Sequence, residues 1–409
     1  MAALVEAGYG QTMVAVEPSS VVAALKESAD RALRGANPTA AREQFLRAIE
    51  LAPRRIDLWM GLAASQRAIG DLESALEAAD RALALEPRLF PALLMKGSLL
   101  EALGLHRRAA TVYDAAIKVS PAPESLAEPA RRALAHAQEA RRNNADELAA
   151  RLRASIDLPA LACGPADRRT AAFIDAMAGR RRIYLQEPVQ FHYPGLPSIE
   201  FYERDAFPWL EAFEECWRDI RSEAMSVWGG GSPDLTPYVH YPSGVPLDQW
   251  AELNNSLKWS AFHLFEDGTP VKDHCAQCPK TISALGLVDQ PRVESRSPAA
   301  MFSILRPRTR IPPHTGVSNT RLVLHLPLVV PEQCGFRVGG ETRVWLEGEA
   351  WVFDDTIEHE AWNNSDQPRA ILICDVWSPH LSKEEREIIA RLTAAFDAFG
   401  GADAPGGNL

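Results

Sequence analysis

The sequence has few cysteines, no long apolar run and no excess of basic residues. Six cysteines in 409 residues are too few for a disulfide scaffold. No apolar segment approaches the roughly 18–20 residues needed to cross a bilayer, and Glu6 stands where a signal peptide would carry Lys or Arg. The net charge of −11 argues against a basic face for nucleic acid. These absences predict a cytoplasmic protein without a transmembrane segment or a nucleic-acid partner.

Two cysteines form the segment HCAQC (274–278), which could supply half of a zinc site. A structural zinc ion takes four ligands, usually from two such pairs, and the sequence has no second pair. We therefore predict a loop with ordinary reduced thiols at Cys275 and Cys278, with a local disulfide or a thiol switch as the alternative. The remaining cysteines stand alone in the sequence: Cys163, Cys216, Cys334 and Cys374.

The first third of the chain repeats with a regular period. Proline recurs every 34 residues at Pro53, Pro87 and Pro121. Small residues keep the same interval: Ala41, Ala75 and Ala109; Ala48, Ala82 and Ala116; Gly70 and Gly104. This is the period of the tetratricopeptide repeat, a helix–turn–helix unit whose proline ends the second helix. The period predicts an α-helical solenoid, and because such arrays commonly hold an extended peptide, we expect a peptide or protein partner.

A change of composition near residue 155 indicates a second domain, richer in Pro, Trp and Tyr. Apolar spacing predicts a helix over 209–228. Short β-rich runs from Ala299 onward predict a sandwich or jelly-roll barrel. A final helix is predicted over 382–399, with Ser382 as its N-cap. The predicted organisation is a flexible N-terminus, a repeat domain, a linker, a mixed domain and a flexible tail, over residues 1–18, 19–155, 156–180, 181–399 and 400–409.

Two histidines near the edges of predicted strands are candidates for metal binding. His314 and His359 lie 45 residues apart. Jelly-roll dioxygenases hold Fe(II) with two imidazoles and usually a carboxylate, leaving other positions open. The carboxylate normally lies two residues after the first histidine, where this chain has Gly316. From the residues alone, the pair is either a metal site or two ordinary polar histidines, because a two-histidine motif has low specificity.

Several sequence blocks between residues 191 and 382 resemble the aspartyl/asparaginyl β-hydroxylase family of Fe(II)- and 2-oxoglutarate-dependent oxygenases. The blocks are YPGLP, CPKT, PHTG, HLPLVVP and WLEGE, followed by FDD and EHEAW. Their order and spacing are more specific than any single motif. Animal members of the family also combine a tetratricopeptide-like region with this domain, and the family has glycine in place of the carboxylate ligand. The resemblance implies a double-stranded β-helix (jelly-roll) catalytic domain over residues 181–399, with flanking helices.

The resemblance also implies a role for six residues of the site. Two of them, His314 and His359, would hold Fe(II), with a water at the third position ordered by a nearby carboxylate. The others would hold the co-substrate 2-oxoglutarate, whose distal carboxylate suits the fork of an arginine: Arg369, Ser303, Arg321 and His325.

Two features near these residues need separate treatment. The carboxylates of Glu358 and Glu360 flank His359, and strand alternation points them away from its face, so we expect structural roles or contacts around the metal ligands instead of metal binding. The family often has a second basic residue where this chain has Val323. Contacts to the other carboxylate of 2-oxoglutarate, or to an acidic substrate side chain, would differ accordingly.

The implied activity is a dioxygenase reaction that consumes O2 and 2-oxoglutarate, releases succinate and hydroxylates an unactivated C–H bond. The family target is the β-carbon of Asp or Asn in a peptide, which the repeats would help to capture. An alternative within enzymes is a lipid acyl chain or a small amino-acid-derived metabolite. An alternative of another class is a repeat scaffold with a non-catalytic oxygenase-like domain, which the presence of His314, His359 and Arg369 disfavours.

Overall fold

The computed structural model describes residues 18–156, 164–228 and 234–400. The chain divides into two compact units, residues 1–180 and 181–409. The predicted flexible segments lie almost wholly outside the described residues. No helix within the described residues is long and apolar enough to span a bilayer.

The first unit is a series of helices joined by short turns. The prolines of the 34-residue period lie two or three residues beyond the second helix of each pair, where a proline stops the helix from continuing. This confirms the predicted solenoid. The helices are α1 (Pro18–Arg34), α2 (Pro38–Leu51), α3 (Ile56–Ile69), α4 (Leu72–Leu85), α5 (Phe90–Ala102), α6 (His106–Lys118) and α7 (Glu128–Ala154).

Small residues let neighbouring helices approach closely in this unit. A Cβ atom at Gly61 of α3 would lie 2.3 Å from the Phe45 ring of α2, and one at Gly97 of α5 would lie 2.2 Å from the Tyr113 ring of α6. Each glycine therefore faces a large aromatic side chain that is fully buried. A methyl group at either position would force the helix pair apart.

A further helix, α8 (Pro165–Met177), lies within the stretch predicted as a linker. Ile174 of α8 packs with Ala178 against Ala149 of α7, and Arg153 donates a hydrogen bond to Asp175 at 3.2 Å. The linker prediction is therefore wrong for this helix, because a few apolar contacts with α7 are enough to order it. Residues 157–163 of the predicted linker, with Cys163, lie outside the described residues.

The second unit is built on two antiparallel sheets. One sheet has the order β1-β2-β4-β11-β6-β9, with β3 beside β2, and the other has the order β5-β10-β7-β8. The eight strands from β4 to β11 are thus shared between the two sheets in the double-stranded β-helix order, which confirms the predicted jelly roll. The strands are β1 (Thr236–Pro237), β2 (Trp259–Glu266), β3 (Thr269–Pro270), β4 (Ala300–Leu305), β5 (Thr309–His314), β6 (Arg321–Val329), β7 (Cys334–Val338), β8 (Glu341–Arg343), β9 (Trp351–Phe353), β10 (His359–Asn363) and β11 (Arg369–Trp377).

Helices flank the sheets of this unit. The helix predicted over 209–228 is interrupted at Cys216, and its Trp217 and Trp228 pack against the apolar core, as expected. Ser382 caps the last helix by accepting a hydrogen bond from the Glu385 amide at 3.2 Å, as predicted. The helices are α9 (Leu210–Glu215), α10 (Trp217–Trp228), α11 (Lys272–Gln277), α12 (Pro279–Leu285) and α13 (Lys383–Ala398).

The HCAQC segment is helical instead of forming the predicted loop, since it spans α11 and the residue before α12. Cys275 and Cys278 are free thiols, so the alternative of a local disulfide is wrong. The Cys275 thiol donates to the Leu264 carbonyl at 3.2 Å. Burial raises the pKa of the Cys278 thiol to about 12, so it stays protonated at neutral pH.

Candidate active site

The two sheets enclose a cavity that brings together five of the six predicted site residues. β5 ends at His314 and β10 begins at His359, and these two residues are register partners. Their ring centroids therefore lie 4.1 Å apart. The predicted site residues in the cavity lining are Ser303, His314, His325, His359 and Arg369.

Both candidate ligand histidines are neutral and oriented by backbone carbonyls. The Nδ1 atom of His314 lies 2.8 Å from the Pro312 carbonyl oxygen, and that of His359 lies 3.1 Å from the Ile357 carbonyl oxygen. Burial lowers the pKa of His359 to about 4 and that of His314 well below its ordinary value. With the proton on Nδ1, each ring keeps its lone pair on Nε2, the arrangement that metal-binding histidines use.

The carboxylate of Asp355 fills the space beside Gly316. A Cβ atom at Gly316 would lie 1.9 Å from Asp355 Oδ2, so no side chain fits at this position while the carboxylate is there. Neither carboxylate oxygen has a hydrogen-bond partner in the structure, and both are buried. Burial raises the pKa of Asp355, and the nearby Arg321 guanidinium opposes this rise. Arg321 Nη1 lies 3.4 Å from Asp355 Oδ2, so this arginine contacts the carboxylate. Arg321 itself does not line the cavity.

The donor set fits a metal ion that has two protein ligands. Across the described residues, no group of three or more His, Cys, Asp or Glu side chains is placed to hold a metal. His314 and His359 supply two ligands. The third ligand of such sites is usually a carboxylate, and this chain has Gly316 at that position. Two neutral imidazoles, with the Asp355 carboxylate beside the third position and without a hydrogen-bond partner, suit an ion that keeps water or other small ligands in its open positions.

Arg369 supplies an unpaired positive charge in the same cavity. It begins β11, is only 1% exposed, and its Nε and Nη2 atoms have no hydrogen-bond partner. Burial lowers the pKa of its guanidinium to about 10, which leaves it charged at neutral pH. Because a buried charge without a partner is costly, the site fits an anionic ligand that pairs with Arg369. His325 also presents an unpaired Nδ1 atom.

Aromatic side chains that the sequence reasoning missed complete the site. Trp259 of β2 donates its Nε1 hydrogen to Ser303 Oγ at 3.0 Å and stacks on Tyr238 with centroids 3.8 Å apart. Trp250 lies edge-on to His314, with centroids 5.1 Å apart. The apolar, aromatic-rich run WSAFHLFE (259–266) was the signal for β2, and it lies upstream of the region in which strands were predicted.

The glutamates beside His359 form ion pairs with arginines. Glu360 accepts from Arg337 Nε at 2.6 Å and also pairs with Arg310. Glu358 accepts from Arg337 at 2.8 Å. Both side chains therefore have the structural role that strand alternation predicted.

The fold and the cavity define the second unit as a double-stranded β-helix domain with two histidines side by side in its cavity. Residues 214–379 match the family model of aspartyl/asparaginyl beta-hydroxylase, and residues 90–123 match a tetratricopeptide repeat model. The family resemblance and the repeat prediction are thus confirmed, and the second unit carries a hydroxylase-family domain.

Individual relatives agree with the family match. A mouse aspartyl/asparaginyl beta-hydroxylase is 34% identical over 178 residues, 43% of this chain and 22% of the relative. Aspartate beta-hydroxylase domain-containing protein 2 of Xenopus tropicalis is 30% identical, covering 51% of this chain and 55% of the relative. An ornithine lipid ester-linked acyl 2-hydroxylase of Rhizobium tropici is 32% identical, covering 47% and 66%. The match thus spans about a fifth of the first relative and about half of the second.

Among solved structures, the Arabidopsis OM64 TPR domain aligns with 30% of this chain and 98% of its own length. Its sequence identity is 19% and its TM-score is 0.27.

Proposed function

We propose that the chain is an Fe(II)- and 2-oxoglutarate-dependent hydroxylase of an unactivated C–H bond. The observation that carries this proposal is the buried Arg369, whose guanidinium has unpaired donors in a cavity shared with neutral His314 and His359. A dicarboxylate co-substrate would supply the missing anion. The hydroxylases among the relatives support the same type of reaction.

In this proposal, each residue of the site has a defined role. His314 and His359 would hold Fe(II), which when bound would supply the activation of O2 needed to hydroxylate a C–H bond. Arg369 binds the distal carboxylate of 2-oxoglutarate, while Ser303 and His325 hold the same molecule. Arg321 opposes the rise that burial causes in the pKa of Asp355, and the Asp355 carboxyl group beside Gly316 would hydrogen-bond to a water at the third position. The remaining walls are apolar and keep bulk water from the reacting atoms: Ile311, Phe336, Phe353, Ile371 and Ile373.

The substrate that we propose first is the β-carbon of Asp or Asn in a peptide or protein. The family name of the matched model supports this. The repeat unit supports it independently, because such solenoids commonly bind extended peptides. In this proposal the repeats capture the polypeptide and the jelly roll carries out the oxidation.

A lipid acyl chain is the second candidate, and the cavity itself favours it. Val323, Ile311 and Ala361 give the lining an aliphatic character, and Arg369 is the one permanent cation among the described residues that line it. If Arg369 binds the co-substrate, an aspartyl substrate finds no further cation in this lining. The Rhizobium tropici relative is named as an acyl hydroxylase.

Product analysis distinguishes the candidates. The full chain is incubated with Fe(II), 2-oxoglutarate and ¹⁸O2, with Asp- or Asn-containing peptides in one series and acyl lipids in another. We expect one atom of ¹⁸O in the product, and fragmentation by mass spectrometry identifies the hydroxylated carbon. If ¹⁸O is found in the acyl chains and not in the peptides, the peptide proposal is wrong and the lipid is the substrate. If 2-oxoglutarate is consumed but neither series contains ¹⁸O, both proposed substrates are wrong.

A further inference from the structure

Trp345 is turned into the cavity by the loop that follows β8. It is 3% exposed, whereas its neighbours Val344 and Leu346 are 67% and 56% exposed. The ring lines the cavity, and its Nε1 hydrogen has no acceptor in the structure. A buried indole N–H normally has a partner, so this donor points to a ligand that the protein itself does not supply.

The guanidinium group of Arg369 lies over the face of the same ring. The guanidinium carbon of Arg369 lies 5.1 Å from the centre of the Trp345 ring, and no ion pair to Arg369 is found within the described residues. Phe336 supports the ring from stacking distance, with centroids 5.4 Å apart and planes inclined by 28°. The ring therefore compensates part of the buried positive charge and fixes the plane of the guanidinium fork.

We propose that Trp345 is a positioning residue for the co-substrate. Its ring orients Arg369, and its Nε1 hydrogen is offered to the same distal carboxylate that Arg369 binds. This inference rests on the proposed function, because the ligand is taken to be 2-oxoglutarate. If Trp345 positions the co-substrate, the protein should prefer ligands that carry the distal carboxylate, and loss of Trp345 should reduce this preference. If the ring only packs against its neighbours, its loss should leave the preference unchanged.

The test compares two ligands that differ only at the distal end. Calorimetry without oxygen, on the full chain loaded with Mn²⁺, gives the dissociation constants of 2-oxoglutarate and of 2-oxopentanoate, in which a methyl group replaces the distal carboxylate. The variants are W345F, which keeps a ring and loses the N–H group, and W345L, which loses both. W217L is the control, because Trp217 stacks on Arg218 at 4.9 Å and does not line the cavity.

We expect the preference for 2-oxoglutarate to fall about 30-fold in W345L, which corresponds to the loss of a desolvated cation–π contact. It should fall less in W345F and stay unchanged in W217L. If W345L binds both ligands with the wild-type preference, or loses both equally, the inference is wrong while the proposed function stands. If the wild-type protein itself shows no preference, the co-substrate site of the proposed function is wrong as well. W345F keeps the test decisive should W345L fail to fold.

Discussion

The two units bury different kinds of side chain. Among the described residues, the polar side chains buried in the first unit are Ser65 and Gln66, and its core is otherwise apolar. The second unit buries many more, including the charged residues Arg369, Asp355 and Asp375. Folding alone does not require such groups, because apolar residues of similar size would stabilise a core at least as well. The difference teaches that the first unit is built for packing, whereas the second also buries charged groups. Asp375 and Asp355 have protein partners, and the unpaired Arg369 fits a site that binds an anion.

The largest expected effect is on metal binding. We expect His359→Ala to weaken binding of Fe(II) or Mn²⁺ by more than about 100-fold, because loss of even an indirect contact to a metal ligand costs 10- to 100-fold. Calorimetry on the full chain measures this. His274→Ala is the matched control, since His274 also rests against a backbone carbonyl, that of His263 at 2.6 Å, but lies outside the cavity. Equal affinity in wild type and His359→Ala would remove the ligand assignment.

The next effect concerns the stability cost of the buried arginine. Replacement of Arg369 by Met removes an unpaired charge, so the ligand-free protein should keep its stability or gain about 1–4 kcal/mol. The same variant should lose the stabilisation that 2-oxoglutarate gives to the metal-loaded protein. Chemical unfolding with and without the ligand measures both changes.

Arg337→Met provides the opposite case, because Arg337 is paired with two glutamates. We expect this variant to be destabilised and to keep its response to 2-oxoglutarate. A stability loss of the same size in both variants would contradict the claim that Arg369 lacks a partner.

The neutral histidines should make the second unit sensitive to acid. Because folding lowers the pKa of His359 from its ordinary 6.5 to about 4, the unfolded chain takes up a proton first as the pH falls. The stability associated with neutral His359 is present above pH 6.5 and is lost toward pH 4, by roughly 3 kcal/mol. The measurement is the difference in unfolding free energy between the metal-free wild type and metal-free His359→Asn, followed from pH 7.5 to 4. Both proteins contain the same buried aspartates, so the contribution of those aspartates to the pH dependence cancels in the difference. A difference that stays constant over this range would refute the assignment of a neutral buried imidazole.

The smallest expected effect tests the first unit. Gly97→Ala should destabilise the repeats by about 1–3 kcal/mol, because the new methyl group meets the Tyr113 ring. Consumption of 2-oxoglutarate should not change, since the substitution lies in the other unit. Ser98→Ala, in the same helix, serves as the control. Loss of co-substrate turnover in Gly97→Ala would show that the two units do not divide packing and chemistry in this way.

The sequence predicts local features well and tertiary contacts poorly. The 34-residue period identified the solenoid because each repeat contacts its neighbours along the chain. The strand prediction placed His314 and His359 near strand edges, but their pairing across β5 and β10 depends on the fold. The same limit explains why α8 was taken as part of a linker.

The site shows the same limit more sharply. The sequence motif includes Trp345, yet nothing in the pattern indicates that its ring lies against Arg369. Asp355 belongs to the FDD block, and only its contact with Gly316 in the structure distinguishes it from the other carboxylates near His359. Such contacts join residues far apart in the chain, so single-sequence patterns do not encode them.

The central claim is that His314, His359 and Arg369 form the site of a hydroxylase that consumes 2-oxoglutarate. The most direct measurement loads the full chain with Fe(II) and isotopically labelled 2-oxoglutarate without oxygen, admits oxygen, and quantifies labelled succinate. We predict succinate from the wild-type protein and none above background from His359→Ala or Arg369→Met. Equal succinate from the wild type and His359→Ala, or none from a wild type that binds both Fe(II) and 2-oxoglutarate, would contradict the claim.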